Sequence, residues 1–148
     1  MRKLIVTALL LLDLCESSLP QTNCRCRGAT AADKTIWEHM SNYEEERAVK
    51  KVRGVVLDPV GERLEDALVE VFADDGTSDS PTSDSHKRVA ACVTGEKGEF
   101  CFDGLKPGKY ILAVGHRGFI ITFMKLNLDP RGRRGSGKRL NVTLAPGV

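Results

Sequence analysis

Residues 94–110 read TGEKGEFCFDGLKPGKY, a short segment of alternating aromatic residues between two glycine-containing turns. Gly95 and Gly98 suit a tight connection between strands, because glycine reaches positive φ without a steric penalty. Phe100 and Phe102 share one face of an extended chain. The second turn, at residues 106–108, precedes a new strand at Tyr110. The stretch predicts a β-hairpin at the centre of an antiparallel β-domain.

On both sides of this hairpin, alternating apolar residues and turn signals predict seven strands in all. They lie at residues 52–58, 67–72, 87–94, 99–103, 110–115, 119–128 and 140–144. Short strands at this spacing are typical of a β-sandwich. The predicted fold class is all-β, a seven-stranded antiparallel sandwich over residues 49–148.

Alternation also predicts which side chains face the core. The outward set contains Cys92, Cys101 and Asn141. The inward set is Val69, Val71, Val89, Ala91, Val93, Phe100, Phe102, Tyr110, Leu112, Val114, Leu140, Val142 and Leu144.

The N-terminus carries the pattern of an export signal. Arg2 and Lys3 precede an apolar run at residues 4–12, which is too short to span a bilayer comfortably. We predict a signal peptide over about residues 1–20, and an exported periplasmic or extracellular protein with no transmembrane segment after its removal. Lipid anchoring at Cys15 is the alternative, although Leu12, Asp13 and Leu14 before it lack the small residue of a lipidation motif.

Residues 21–48 form a predicted N-terminal extension with helical spacing. Ile36, Trp37, Met40 and Tyr43 fall on one side of a helix that Asp33 could cap. A short amphipathic helix is predicted within residues 30–47, and its apolar stripe is expected to cover an open edge of the sandwich.

Removal of Cys15 leaves four cysteines, and an exported chain favours disulfides among them. A hairpin that pairs Thr94 with Glu99 also pairs Cys92 with Cys101, so this is the first predicted disulfide. Cys24 and Cys26 would then form a second, strained one. In the alternative pairing, Cys92 and Cys101 each bond to one of Cys24 and Cys26. Zinc held by four thiolates is a further alternative, but no C-x-x-C spacing supports it.

Two stretches, GVVLDPVGERLEDALVEVF at residues 54–72 and TGEKGEFCFDGLKPGKYIL at residues 94–112, followed by Gly118-Phe119, resemble the carboxypeptidase regulatory-like domain family. The family fold is a prealbumin-like, or transthyretin-like, β-sandwich. The resemblance covers about residues 52–148 and depends on turn and core residues. It implies an accessory or adhesive module of extracellular proteins without catalytic residues of its own. Leu64 and Asp66 depart from the family pattern, which often has proline and glycine there.

No catalytic motif is visible in the sequence. His39, His86 and His116 stand apart from any recognisable nucleophile or base, and the glycines do not form a phosphate-binding loop. We therefore predict that the chain is not an enzyme and needs no cofactor or metal. Residues 74–85, DDGTSDSPTSDS, predict a long surface loop, with calcium binding as the alternative reading of its aspartates.

Two surfaces are candidates for binding. The run RGRRGSGKR offers five cations to an anionic glycan, a lipid headgroup or an acidic envelope protein. A net charge of +2 and the absence of interleaved aromatic residues argue against nucleic acid. The second surface is an apolar interface on the strand at residues 119–128. The five cations are Arg131, Arg133, Arg134, Lys138 and Arg139, and the apolar residues are Phe119, Ile121 and Phe123.

The predicted function is an exported, non-enzymatic β-sandwich module with a binding or structural role at the cell envelope. The alternative is a periplasmic carrier that holds a small hydrophobic ligand with Trp37 and the apolar strand.

Overall fold

The computed structural model describes residues 26–30, 41–77, 86–132 and 137–147. This part of the chain is all-β, as predicted, and it contains no helix, hence none that could cross a membrane. The predicted signal peptide, Cys15, Cys24 and Trp37 lie outside the described residues. The strands are β1 (Arg27–Gly28), β2 (Ser41–Val49), β3 (Val52–Leu57), β4 (Leu68–Ala73), β5 (Arg88–Val93), β6 (Glu99–Phe102), β7 (Gly108–Gly115), β8 (Ile121–Leu128) and β9 (Leu140–Thr143).

The strands form two sheets. Six strands take the order β1-β5-β4-β7-β8-β2, and three take the order β6-β3-β9. The prediction of purely antiparallel pairing is wrong, because β2 runs parallel to β8 and β9 runs parallel to β3. In both cases the chain crosses between elements before it pairs, and a parallel neighbour requires such a crossover.

An apolar core lies between the two sheets. Phe100 of β6 is 1% exposed, and its ring covers Gly54 of β3 so closely that a Cβ on that glycine would lie 2.7 Å from the ring. Most residues predicted to face inward are buried here. They include Val69, Val71, Tyr110, Leu112, Val114, Leu140, Val142 and Leu144.

The predicted faces of β5 are reversed. Cys92 is 4% exposed and belongs to the core, whereas Val89 is 40% exposed. Cys92 pairs with Val69 of β4, and directly paired residues point to the same side of a sheet. The register shifts beside Val89, where β5 carries an extra residue. Alternation could not identify this face, because β5 has apolar residues at five consecutive positions, 89–93.

The predicted hairpin between β5 and β6 does not form, because the two strands belong to different sheets. Thr94 exchanges backbone hydrogen bonds with Asp66 and Ala67 beside β4, at 3.0 and 2.9 Å, so it does not face Glu99. The turn closes with the Gly98 amide donating to the Gly95 carbonyl at 2.8 Å. It therefore arches from one sheet to the other.

The predicted helix is wrong over residues 41–47, which belong to strand β2. Residues 31–40, with Asp33, Ile36 and Met40, lie outside the described part of the chain. β2 pairs in parallel with β8 from Ser41 to Val49, with an irregular register between Glu44 and Arg47. An edge position suits this polar segment. Its backbone pairs with the otherwise unpaired backbone groups of β8, while its charged side chains reach water.

Candidate functional site

Several strand ends meet at one end of the sandwich. Leu128 at the end of β8 pairs with Val49 of β2 and with Gly108 of β7. In the other sheet, the start of β3 pairs with the end of β6 and the start of β9. The β2–β3 turn, the β6–β7 turn and the loop at residues 129–139 therefore lie together.

We call this surface the basic end, because the described side chains that it exposes include many cations. It is defined by Lys50, Lys51, Arg53, Lys106, Lys109, Arg131, Lys138 and Arg139. The described aspartates at this end are Asp103 and Asp129 in the same turns and loop, and Asp74 and Asp75 after β4, where the Asp74 amide donates to the Lys109 carbonyl at 3.1 Å.

The loop at residues 129–139 is attached to both sheets. The Asp129 amide donates to the Val49 carbonyl at 3.0 Å, and the Asp129 carboxylate accepts from the Arg131 amide at 3.2 Å. At the other end of the loop, Arg53 donates from Nη2 to the Gly137 carbonyl at 3.0 Å. These contacts limit the freedom of the described loop residues, so cations on them lose less entropy on binding.

The predicted anion-binding residues have different surroundings. Arg131 and Lys138 are exposed at the basic end, and Arg133 and Arg134 lie outside the described residues. Arg139 donates to the Glu99 carboxylate at 2.7 Å, so part of its charge is already neutralised.

Other cations of the basic end were not predicted. Lys50, Lys51 and Lys106 are far from the basic run in the sequence, and they join it only through the pairing of β2 and β7 with β8. The start of β3 adds Arg53. No short motif in the sequence signals this convergence.

A small cluster of possible metal ligands lies beside β4. One ligand atom from each of Asp74, Asp75 and His86 falls within 4.8 Å of the others. His86 is buried, and its Nε2 lies 3.2 Å from Asp75 Oδ1. The Thr77 hydroxyl donates to Asp75 and is the main cause that lowers the pKa of this carboxyl. Two carboxylates and an imidazole are suitable ligands for a divalent cation. Asp75, however, already contacts Thr77 and His86.

The six-stranded sheet has a second apolar face, opposite the core. Ile121 and Phe123 are buried in it with Phe72, Ile111 and Ala113. Phe119, the third residue of the predicted apolar interface, packs instead against the core between the sheets, with the His116 ring 5.5 Å away. The predicted interface is therefore divided between two faces.

A cavity of about 230 Å³ opens on this second face. Tyr43 is 51% exposed, and its ring centre lies 5.5 Å from that of Phe123. Desolvation raises the pKa of Glu44 at the rim, and the Arg47 charge opposes this shift. The cavity is lined by Tyr43, Glu44, Ile111, Phe123, Met124 and Lys125.

Both predicted disulfides are wrong. Cys101 is disulfide-bonded, whereas Cys92 and Cys26 carry thiols, and the partner of Cys101 lies outside the described residues. Cys92 and Cys101 are not paired because β5 and β6 belong to different sheets. β1 brings Cys26 close to Cys92 instead, by pairing Gly28 with Cys92. A disulfide at Cys101 also removes one ligand of the four-thiolate zinc alternative.

The histidines have no catalytic arrangement among the described residues. Both ring nitrogens of His116 lie 3.0 Å from backbone carbonyl oxygens, those of Arg117 and Glu65. His116 therefore connects two loops. His39 lies outside the described residues, and His86 belongs to the cluster beside β4.

No protein-family model matches the chain, and no curated protein matches it. Three solved structures to which it is similar are 1,2-dioxygenases. A mutant of Acinetobacter radioresistens catechol 1,2-dioxygenase is 14% identical, with 73% of this chain and 59% of that chain covered and a TM-score of 0.41. Catechol 1,2-dioxygenase from Pseudomonas arvilla C-1 is 14% identical, with 76% and 60% covered and a TM-score of 0.40. Hydroxyquinol 1,2-dioxygenase from Pseudomonas putida DLL-E4 is 12% identical, with 86% and 69% covered and a TM-score of 0.41.

These similarities contradict the prediction that the chain is not an enzyme, because these three structures are enzymes. The chain spans about three fifths of the length of the first two. At this identity and TM-score the likeness gives the chain neither an activity nor a substrate.

Proposed function

We propose that the chain is an exported, prealbumin-like β-sandwich module that binds an anionic glycan of the cell envelope through its basic end. The observation that supports this most is the convergence of Lys50, Lys51 and Lys106 with the loop at residues 129–139. A chain with a net charge of only +2 thereby concentrates exposed cations on one surface.

Electrostatics favours such a surface as a binding site. Exposed cations contribute little to folding stability, but together they attract a polyanion over roughly 10 Å at ~0.1 M salt. Sulfate and carboxylate groups accept charge-assisted hydrogen bonds from lysine and arginine. The attachment of the loop by Asp129 and Arg53 holds two of these cations, Arg131 and Lys138, close to the sheets.

Export to the envelope rests on the sequence. The charged and apolar N-terminus has the order of a signal peptide, and the resemblance to the carboxypeptidase regulatory-like domain family favours an extracellular accessory module. We expect the mature protein from its native host to begin after residue 17. Intact-mass measurement tests this, and a cytoplasmic protein that retains Met1 would contradict export.

The binding test compares two triple variants of equal charge change. The first replaces Lys51, Arg131 and Lys138 of the basic end with glutamine. Heparin serves as the glycan probe, and its affinity is measured by calorimetry at low salt. Three cations that each contribute about 0.5–1 kcal/mol correspond to a loss of roughly 10- to 100-fold in affinity.

The control replaces Arg63, Lys97 and Arg117 with glutamine. These residues are also exposed, but they lie at the opposite end of the sandwich, in the loops that follow β3, β5 and β7. We expect the control to lose less than about 3-fold in affinity, because distant charges are screened. Equal losses in both variants, or heparin binding that persists unchanged in both and at high salt, would contradict a basic-end site.

The cavity on the second face favours one alternative, the carrier of a small hydrophobic ligand. Its volume of about 230 Å³ lies below the roughly 300 Å³ at which most ligand pockets begin. The half-exposed Tyr43 ring can be removed without opening the core. A Tyr43→Ala variant that loses binding of anilinonaphthalene sulfonate while it keeps heparin affinity would support the carrier function.

A further inference from the structure

Cys26 and Cys92 come together at the edge of the six-stranded sheet. β1 runs antiparallel to β5, with Arg27 opposite Val93 and Gly28 opposite Cys92. Cys26 is two residues from Gly28, so it lies on the same side of the strand as Gly28 and hence of Cys92. Gly28 has no side chain, which leaves room opposite Cys92, and Cys26 packs against the buried cluster that contains Cys92.

The two sulfurs differ in accessibility. Cys92 is 4% exposed and belongs to the core, whereas Cys26 is half-buried and packs against the core from its edge. The Cys26 sulfur also lies 3.6 Å from the Cys101 carbonyl oxygen. A small reagent can therefore reach Cys26 first, while Cys92 stays behind it within reach of the same sulfur.

The two neighbouring thiols differ in acidity. Donation from the Cys92 thiol lowers the pKa of Cys26 to about 6, against the effects of desolvation and of the Asp103 charge. The same contact raises the pKa of Cys92, with burial adding to the shift. Cys26 is then a thiolate near neutral pH, and the thiolate is the form that attacks disulfides.

We propose that Cys26 and Cys92 are a redox-reactive dithiol that reacts with low-molecular-weight disulfides and closes into a disulfide between the Cys26 segment and β5. The Cys26 thiolate attacks one sulfur of the small disulfide, forms a mixed disulfide and releases one small thiolate. Cys92 then loses its proton and attacks the Cys26 sulfur, which releases the second small molecule as a thiol. The two protein sulfurs are oxidised, and the small disulfide is reduced to two thiols.

The strands allow this closure. β1 has two residues and occupies the edge of its sheet, so few backbone hydrogen bonds resist the approach of Cys26. The disulfide at Cys101 fits an oxidising compartment, in which small disulfides are available. The bond would close a long loop between residues 26 and 92, which is the kind of cross-link that restricts the unfolded chain most.

The test exposes the protein to oxidised glutathione, with separate wild-type, Cys26→Ser and Cys92→Ala samples. Remaining thiols are blocked with N-ethylmaleimide, and intact mass and non-reducing peptide maps are recorded. The wild type is expected to yield a Cys26–Cys92 linked peptide and to release two glutathione molecules. Cys92→Ala is expected to retain one glutathione on Cys26, and Cys26→Ser to retain none on Cys92.

A second measurement uses the wild type, so it does not depend on the folding of Cys92→Ala, which changes a core residue. The alkylation rate of Cys26 in the wild type is expected to rise through about pH 6, whereas an ordinary thiol has a pKa of 9.0. Far-ultraviolet circular dichroism confirms the fold of each variant. Both thiols remaining open to alkylation after oxidation, or Cys26 linked to a cysteine other than Cys92, would overturn the proposal.

Discussion

Truncation of Phe100 is the sharpest test of the core between the two sheets. Phe100 is the fully buried phenylalanine of β6, it is 1% exposed, and its ring lies on the backbone of Gly54. A glycine offers no side chain that could move into the vacated space. Phe100→Ala should therefore leave a cavity that the neighbouring strands cannot close.

The expected loss follows from this burial. Replacement of a buried phenylalanine by alanine costs about 3–5 kcal/mol, out of a total stability of roughly 5–15 kcal/mol for a domain. With a urea dependence of about 2 kcal/mol per molar, a loss of about 4 kcal/mol lowers the unfolding midpoint by about 2 M. Phe102→Ala is the matched control, because Phe102 lies on the same strand but is only partly buried.

Urea unfolding followed by tyrosine fluorescence and circular dichroism measures both variants. We expect Phe102→Ala to cost about 1 kcal/mol, because it removes less buried area. A midpoint unchanged by Phe100→Ala would refute the assignment of this β6 face to the core. An equal shift in the two variants would contradict the deeper burial of Phe100.

Two further predictions concern buried and half-buried polar groups. Thr94 is 2% exposed, donates its hydroxyl to the Leu64 carbonyl at 2.7 Å and accepts from the Ala67 amide at 2.9 Å. Thr94→Val should cost about 2–4 kcal/mol in urea unfolding because it leaves two backbone groups unsatisfied, and Thr94→Ser should restore most of the loss. Burial raises the pKa of Glu44, so stability is lost as pH rises from its unfolded pKa of 4.5 through the folded one. Glu44→Gln should therefore melt at a higher temperature than the wild type at pH 7 and at the same temperature at about pH 3, and an equal difference at both pH values would contradict this.

The positions of β3 to β9 could be predicted because their signals are local. Alternation and glycine turns overlap each of these strands, including β6 with Phe100 and Phe102. The pairing of β5 with β6 could not be predicted. A glycine turn such as the one at Gly95 and Gly98 can connect strands of one sheet or arch between two, and contacts with β4 and β3 decide which.

At residues 41–49 the local sequence signal predicts the wrong secondary structure. The acidic run and the spacing of this segment favour a helix when it is read alone. The open edge of β8 offers it a parallel ladder instead, and tertiary contacts override a weak local preference. Tyr43, expected on the helix stripe, thus contacts Phe123 from a strand.

The candidate sites were only partly visible in the sequence. The run at residues 131–139 is contiguous and therefore easy to find, but Lys50, Lys51 and Lys106 join it through strand register. The proximity of Cys26 to Cys92 likewise depends on the pairing of a two-residue strand. Neither arrangement has a spacing that a single sequence could reveal.

The central claim, that the basic end is the binding surface, is tested most directly by nuclear magnetic resonance with a heparin-derived oligosaccharide. Backbone amide shifts are followed during titration of the isotope-labelled mature protein at low salt. We predict that the largest shifts fall at Lys50, Lys51, Lys106, Arg131 and Lys138, and that they disappear at high salt. Shifts centred on Arg63, Lys97 and Arg117 at the opposite end, or on Tyr43 beside the cavity, would contradict the account.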